Sequence, residues 1–219
     1  MPRLIDVSHT VENGLITYPG LPGPLVCDFL SREASRQFYA EGTTFQIARV
    51  EMVANTGTYV DAPFHRFEHG ADLAGLELEQ LADLDGVVVD ATDRGRAIGP
   101  EAFGKALLKH KAVLIRTGWD RHWATPAYFD GHPYLTRAAA EYLRSAGATL
   151  VGIDSLNIDD IKDGTRPVHT VLLQAGIPIT EHLCNLGNLP PSGFRFHAVP
   201  VKFRGVGTFP VRAYGVLPD

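Results

Sequence analysis

Between positions 55 and 65 the chain reads Asn55-Thr56-Gly57-Thr58-Tyr59-Val60-Asp61-Ala62-Pro63-Phe64-His65, which sets an amide, a phenol, a carboxylate and an imidazole at four odd-numbered positions. Side chains alternate faces along an extended backbone, so the four share one side, and a bend at Gly57 or Pro63 would make them converge. A carboxylate and an imidazole gathered on one face are the parts of proton-transfer chemistry. Spacing alone fits equally a surface loop that happens to carry one Asp and one His.

The elements around this stretch must hold it. The alternation Phe45, Ile47, Arg49, Glu51, Val53 predicts one or two strands between Thr43 and about Tyr59 that lead into it. Further strands are expected at Arg3–Ser8, Gly86–Ala91, Ala112–Thr117 and Thr149–Ile153, and near Phe194–Val201 and Val211–Val216. Helices are expected around Leu76–Leu81, after Gly99-Pro100-Glu101, over Thr136–Ala146 with Gly147 as its stop, and over Val168–Ala175 closed by Gly176. The segment Tyr18-Pro19-Gly20-Leu21-Pro22-Gly23-Pro24 sustains neither regular structure and reads as an ordered loop or arm. Helices that alternate with apolar strands give an α/β class, with a mixed sheet favoured over a wholly parallel one.

Composition narrows the function classes. The 219 residues carry 20 Lys plus Arg against 25 Asp plus Glu, and no basic cluster interrupts them, so nucleic acid is not an expected partner. No apolar run approaches the roughly 20 residues that span a bilayer, and the amino terminus lacks the apolar region of a secretory signal. Cys27 and Cys184 form no paired motif, which fits a reducing cytoplasm. Gly205-Val206-Gly207-Thr208 lacks the lysine and helix of a phosphate loop and is given a structural role. His9, His69, His110, His122, His132, His182 and His197 sit in no ligand spacing and read mostly as surface or loop residues; His182 would point away from Glu181 in an extended segment.

The stretch from Asn55 to His65 resembles the HxGTHxDxPxH signature of the cyclase family, which includes bacterial kynurenine formamidases and isatin hydrolases. The likeness extends along nearly the whole chain. It takes in Ile5-Asp6-Val7-Ser8, Tyr18-Pro19-Gly20, Leu114-Ile115-Arg116-Thr117-Gly118-Trp119, Gly152-Ile153-Asp154, Ile158-Asp159, His169, Leu172-Leu173, Gly176-Ile177, Glu181 and Asn185-Leu186. The resemblance implies one compact swivelling β/β/α domain over residues 1–219 with a mixed central sheet, assembled as a homodimer or larger with active sites close to the subunit interface. The Tyr18–Pro24 arm is expected at that interface.

It also implies roles. Asp61, His169 and Glu181 match the family's ligands for one divalent metal, for which Zn²⁺ and Mn²⁺ both suit one nitrogen and two carboxylate donors. His65 matches a catalytic histidine that moves a proton. The two histidines that open the signature are Asn55 and Tyr59 here, and a neutral amide and a phenol do not replace two imidazoles, so the second metal position is expected to be lost. Asn55 and Tyr59 then become candidates for orienting a substrate oxygen, with Tyr59 a hydrogen-bond donor or an aromatic that fills the vacated space.

The expected function is metal-dependent hydrolysis of a small cyclic or acylated compound with an amide, lactone or lactam carbonyl. One alternative is a metal-free acid/base cyclase, dehydratase or isomerase of a biosynthetic pathway. Another is a noncatalytic small-molecule binder, against which the joint presence of Asp61, His65, His169 and Glu181 argues. Loss of the histidine pair argues against kynurenine formamidase activity itself.

Overall fold

The computed structural model describes residues 2–218. The chain lays down β1 (Arg3–Asp6), then β2 (Leu25–Leu30), the four-residue helix α1 (Arg32–Ser35) and β3 (Ile47–Glu51). There follow β4 (Tyr59–Asp61), β5 (Leu84–Asp90), β6 (Ala97–Ile98), β7 (Lys111–Arg116), β8 (Tyr134–Leu135), α2 (Arg137–Ser145) and β9 (Leu150–Ile153). The last third supplies α3 (Pro167–Gln174), β10 (Ile179–Glu181), β11 (Ser192–His197), β12 (Thr208–Pro210) and β13 (Tyr214–Leu217).

Nine of these strands form one mixed sheet in the order β1-β13-β11-β5-β7-β9-β10-β4-β12. Its middle, β5-β7-β9-β10, is parallel, and the strands on both flanks join antiparallel. The mixed sheet expected from the pattern is therefore present. Parallel strands need both faces covered, and β7 shows how that is met. Val113 and Ile115 pack under α2 and α3 beside Ala139, Leu143, Val168 and Leu172, while Ala112 and Leu114 face the opposite core with Val60, Leu183 and Phe194.

The two longest helices follow local chemistry. Thr136 caps α2 by accepting from the Ala139 N–H, and Gly147 behind it takes φ 76°, which closes the helix as its sequence predicts. Pro167 opens α3 at its first turn, where the missing N–H costs nothing.

The helices expected near Leu76–Leu81 and after Gly99 are single 3₁₀ turns, Leu78–Gln80 and Pro100–Phe103, too short to gain from α-helical propagation. The stretch from Thr43 to Tyr59 is not one continuous element: β3 pairs with β2 in a separate ribbon, whereas β4 enters the main sheet. The break lies at Gly57, whose φ of 66° an L side chain rarely adopts. Of the carboxyl-terminal strand expected over Val211–Val216, only the second half is strand, within β13, and β12 ends just before it at Pro210.

Candidate active site

Strand β4 lies between β10 and β12, with Asp61 opposite Ile179 on one side and Thr208 on the other. That placement buries the carboxylate completely. The Thr208 hydroxyl donates to Asp61 Oδ1 at 2.5 Å, and His65 Nδ1 lies 2.8 Å from the same hydroxyl oxygen. A hydroxyl has one proton, here committed to Asp61, so its oxygen accepts from the His65 Nδ1–H. The Nε2 lone pair of His65 is thereby left free, 3.7 Å from Asp61 Oδ1. Gly207 permits this approach, since a Cβ there would sit 2.5 Å from the His65 backbone nitrogen.

His169 comes from the first turn of α3. Asp159 caps that turn by accepting from the Val168 and His169 N–H groups at 2.7 and 3.0 Å, and it also lies 2.7 Å from His169 Nδ1. A ring held this way aims Nε2 away from Asp159, toward Asp61 Oδ2 at 3.7 Å and Glu181 Oε1 at 3.8 Å. Both distances exceed a hydrogen bond, and Asp61 Oδ2 is buried with no hydrogen-bond partner. Donor atoms of Asp61, His65 and His169 all lie within 4.8 Å of one another. Ligands about 2.1 Å from a tetrahedral ion stand roughly 3.4 Å apart, so a divalent cation fits this gap where a shared proton does not bridge it.

Glu181 is placed differently. Its Oε1 accepts from the Ile158 N–H at 2.6 Å, and its Oε2 accepts from the Tyr59 hydroxyl at 2.7 Å and from Asn157 Nδ2 at 3.4 Å. It is not among the side chains that converge within 4.8 Å. Tyr59 therefore spends its proton on Glu181, and its ring is 2% exposed. His182, directly after β10, has φ 53°, so the chain turns instead of continuing extended. The imidazole is buried against the back of Tyr59, with Nε2 3.3 Å from the Tyr59 hydroxyl and Nδ1 2.9 Å from the Tyr128 hydroxyl. The surface or loop reading of His182 is corrected by that turn, and that of His132 by its burial, 1% exposed.

Burial sets the proton affinities. It works against charge on Asp61, but the neighbouring His65 and His169 and the Thr208 hydrogen bond outweigh it and hold the carboxyl below its ordinary range. Burial would also lower His169, yet its hydrogen bond to Asp159 and the negative charges of Asp61 and Glu181 raise it to about 10. Glu181 is pushed up to about 7, by burial first and by Asp61 next. Burial drives His182 down to about 3, so it is neutral at pH 7, and drives the Tyr59 phenol well above its ordinary value. The protein's own groups thus leave an excess of buried carboxylate around His169 that a cation relieves.

These groups open into a cavity of about 410 Å³. Asn55, Tyr59, His65, His169 and Glu181 all line it, so every expected site residue except the deeper Asp61 reaches its wall. The segment Tyr18–Leu21 folds over the same cavity, so part of the predicted arm is pocket wall. Asn157, Arg66 and Arg166 complete the lining. Thr208, Asp159, His182 and Arg166 were not singled out by spacing. Of these, Asp159 carried a signal, in its match to the family's later loop.

The Cyclase family model matches residues 5–160 of the chain. Kynurenine formamidase of Geobacillus thermodenitrificans is 28% identical over 211 residues, covering 95% of each chain, and that of Salinibacter ruber is 29% identical over 225 residues, covering 99% of this chain and 97% of the relative. Isatin hydrolase A from Labrenzia aggregata, solved with benzyl benzoate, superposes with a TM-score of 0.84 at 20% identity over 100% of this chain and 94% of that one. A solved protein described as a potential metal-dependent hydrolase with cyclase activity gives a TM-score of 0.82 at 24% identity, covering all of both chains.

Proposed function

The chain belongs to the Cyclase family, and on that premise we propose that it hydrolyses the C–N or ester bond of a small cyclic or acylated compound bearing an amide, lactone or lactam carbonyl. The observation that carries the reading is Asp61 Oδ2, buried without a partner and facing a His169 whose other nitrogen is already held by Asp159. Relatives named as a kynurenine formamidase and an isatin hydrolase support it.

Asp61, His169 and Glu181 would hold one divalent ion, Zn²⁺ or Mn²⁺, because all three are buried and two are acids whose charge needs compensation. When bound, the ion supplies a Lewis acid for the carbonyl and acidity for a water molecule. His65 faces the cavity with a free Nε2 and a side chain 34% exposed, so it accepts the proton of the attacking water and returns it to the departing nitrogen or oxygen. Asn55 orients the substrate oxygen, and Tyr59 fixes the Glu181 carboxylate. Among the described residues no helix is long and apolar enough to cross a membrane.

The convergence of His65 with Asp61 and His169 favours a second reading, in which His65 is the third ligand. Metal content and turnover of His65→Ala and Glu181→Gln, on a panel of formamides, lactams and lactones, test the two. The first reading expects His65→Ala to keep its metal and lose turnover, and Glu181→Gln to lose metal. The reverse pattern of metal loss assigns the ion to His65, and no turnover of any panel member by the metal-loaded native protein overturns the hydrolase.

The proposal also takes residues 1–219 as one cyclase-like domain, working in the cytoplasm as a homodimer or larger. The β2–β3 ribbon, with Phe29 76% and Val50 53% exposed, supports contact between copies. Light scattering at micromolar concentration is expected to give at least twice the mass of one chain.

A further inference from the structure

Hydrolysis of a neutral amide needs no cation in the pocket wall, yet two guanidinium groups line this cavity. Arg166 stands immediately before α3 with φ 48° and ψ 60°, a left-handed conformation costly for any residue with a Cβ. Glycine or asparagine suits that position better, so an arginine there points to a use for its side chain. Its Nη1 donates to the Asp160 carbonyl at 3.1 Å and its Nη2 to the Tyr18 hydroxyl at 3.3 Å. Two of five N–H groups are thus committed, and Tyr18, having accepted, keeps its own proton to donate.

Among the described residues no carboxylate lies within ion-pair distance of Arg166 or of Arg66, whose guanidinium rests 5.4 Å over the Phe67 ring. In a chain of net charge −5, unpaired arginines in the one cavity that also holds His65 and His169 are positioned for an anion. Arg166 precedes His169 by three residues, about 4.5 Å along a helix axis, so one small molecule can reach both.

We propose that the substrate carries a carboxylate remote from the bond that is cut, and that Arg166 binds it with the Tyr18 hydroxyl beside it, Arg66 adding a second positive charge to the same wall. The planar fork of a guanidinium matches the two oxygens of a carboxylate, which selects this anion chemistry. This rests on the hydrolase reading for the word substrate, but its binding test does not.

Calorimetric titration of the intact protein with phenylacetate and phenylacetamide compares a carboxylate with a neutral group of the same shape. Phenylacetate is expected to bind at least tenfold more tightly. Arg166→Gln should erase that preference without weakening phenylacetamide, and Arg166→Lys should retain part of it. Tyr18→Phe, which leaves α3 untouched, should reduce the preference and serves if Arg166→Gln does not fold. In chelator-treated protein and in Asp61→Asn the preference should persist, because the carboxylate is not held at the reaction centre. Equal affinities, a preference that survives Arg166→Gln, or one that vanishes with chelation or in Asp61→Asn would each overturn the assignment. A preserved preference with no turnover on the amide and lactone panel would sink the hydrolase reading alone. Turnover of a carboxylate-bearing amide or lactone undiminished by Arg166→Gln would sink only the carboxylate site.

Discussion

The two sides of Asp61 differ in how fully their polar atoms are satisfied. On the side of His65 and His169, imidazole nitrogens face the carboxylate at 3.7 Å, beyond hydrogen bonding, and Asp61 Oδ2 has no partner. On the side of Glu181 the atoms are closed: Tyr59, Asn157 and Ile158 all donate to the carboxylate, and His182 backs the phenol. Buried polar atoms are nearly always paired, so an unpaired set marks where a ligand completes the structure. On the closed side Tyr59 and Asn157 occupy Glu181 Oε2, so only Oε1, which faces His169 Nε2 at 3.8 Å, is turned toward the proposed ion.

The largest effect should come from the open side. Asp61→Ala is expected to abolish turnover and metal content together, measured by initial rates and elemental analysis, since the carboxylate supplies charge that water does not replace. Full metal content in that variant would break the comparison outright. His65→Ala should lower kcat by roughly 10² to 10⁴, the usual worth of a positioned acid/base, with KM nearly constant. Asn55→His combined with Tyr59→His should reopen the closed side and bind one additional ion per chain in calorimetric titration, though absent supporting hydrogen bonds can weaken it roughly 10- to 100-fold. If no new site forms, those two positions do not face the metal as inferred. The smallest effect belongs to Tyr59→Phe: about 1–3 kcal/mol of stability, read from denaturant unfolding, for leaving Glu181 short of a donor, and less than about tenfold in turnover. A loss of roughly 10² or more would return Tyr59 to the role of a donor to the reacting carbonyl.

The open side entered the sequence reading through the likeness of Asp61, His65 and His169 to the cyclase family, since spacing alone left them on a surface loop and an ordinary helix. The bend at Gly57, the turn at Pro63 and the proline-opened helix are what bring the three together in the fold. The closed side was not legible. His182 reads as pointing away from Glu181 only if the backbone stays extended, and its left-handed φ of 53° defeats that rule. Arg166 escaped for the same reason, since its conformation disagrees with its residue type. Thr208 reaches Asp61 from 147 positions later, a pairing no local pattern contains. Strand β2 was hidden behind the Pro/Gly segment, and its partner β3 was read together with β4 because alternation does not say which sheet a strand enters.

The insertion of β4 between β10 and β12 also fixes when the centre can exist. His169 and Glu181 are made more than a hundred residues after Asp61, and Thr208 later still. Contacts so distant along the chain close late, after the loop entropy between them has been overcome. A nascent chain that has not yet released β10 and β12 therefore carries an isolated carboxylate on an unpaired three-residue strand, and the site is assembled only once Thr208 has emerged.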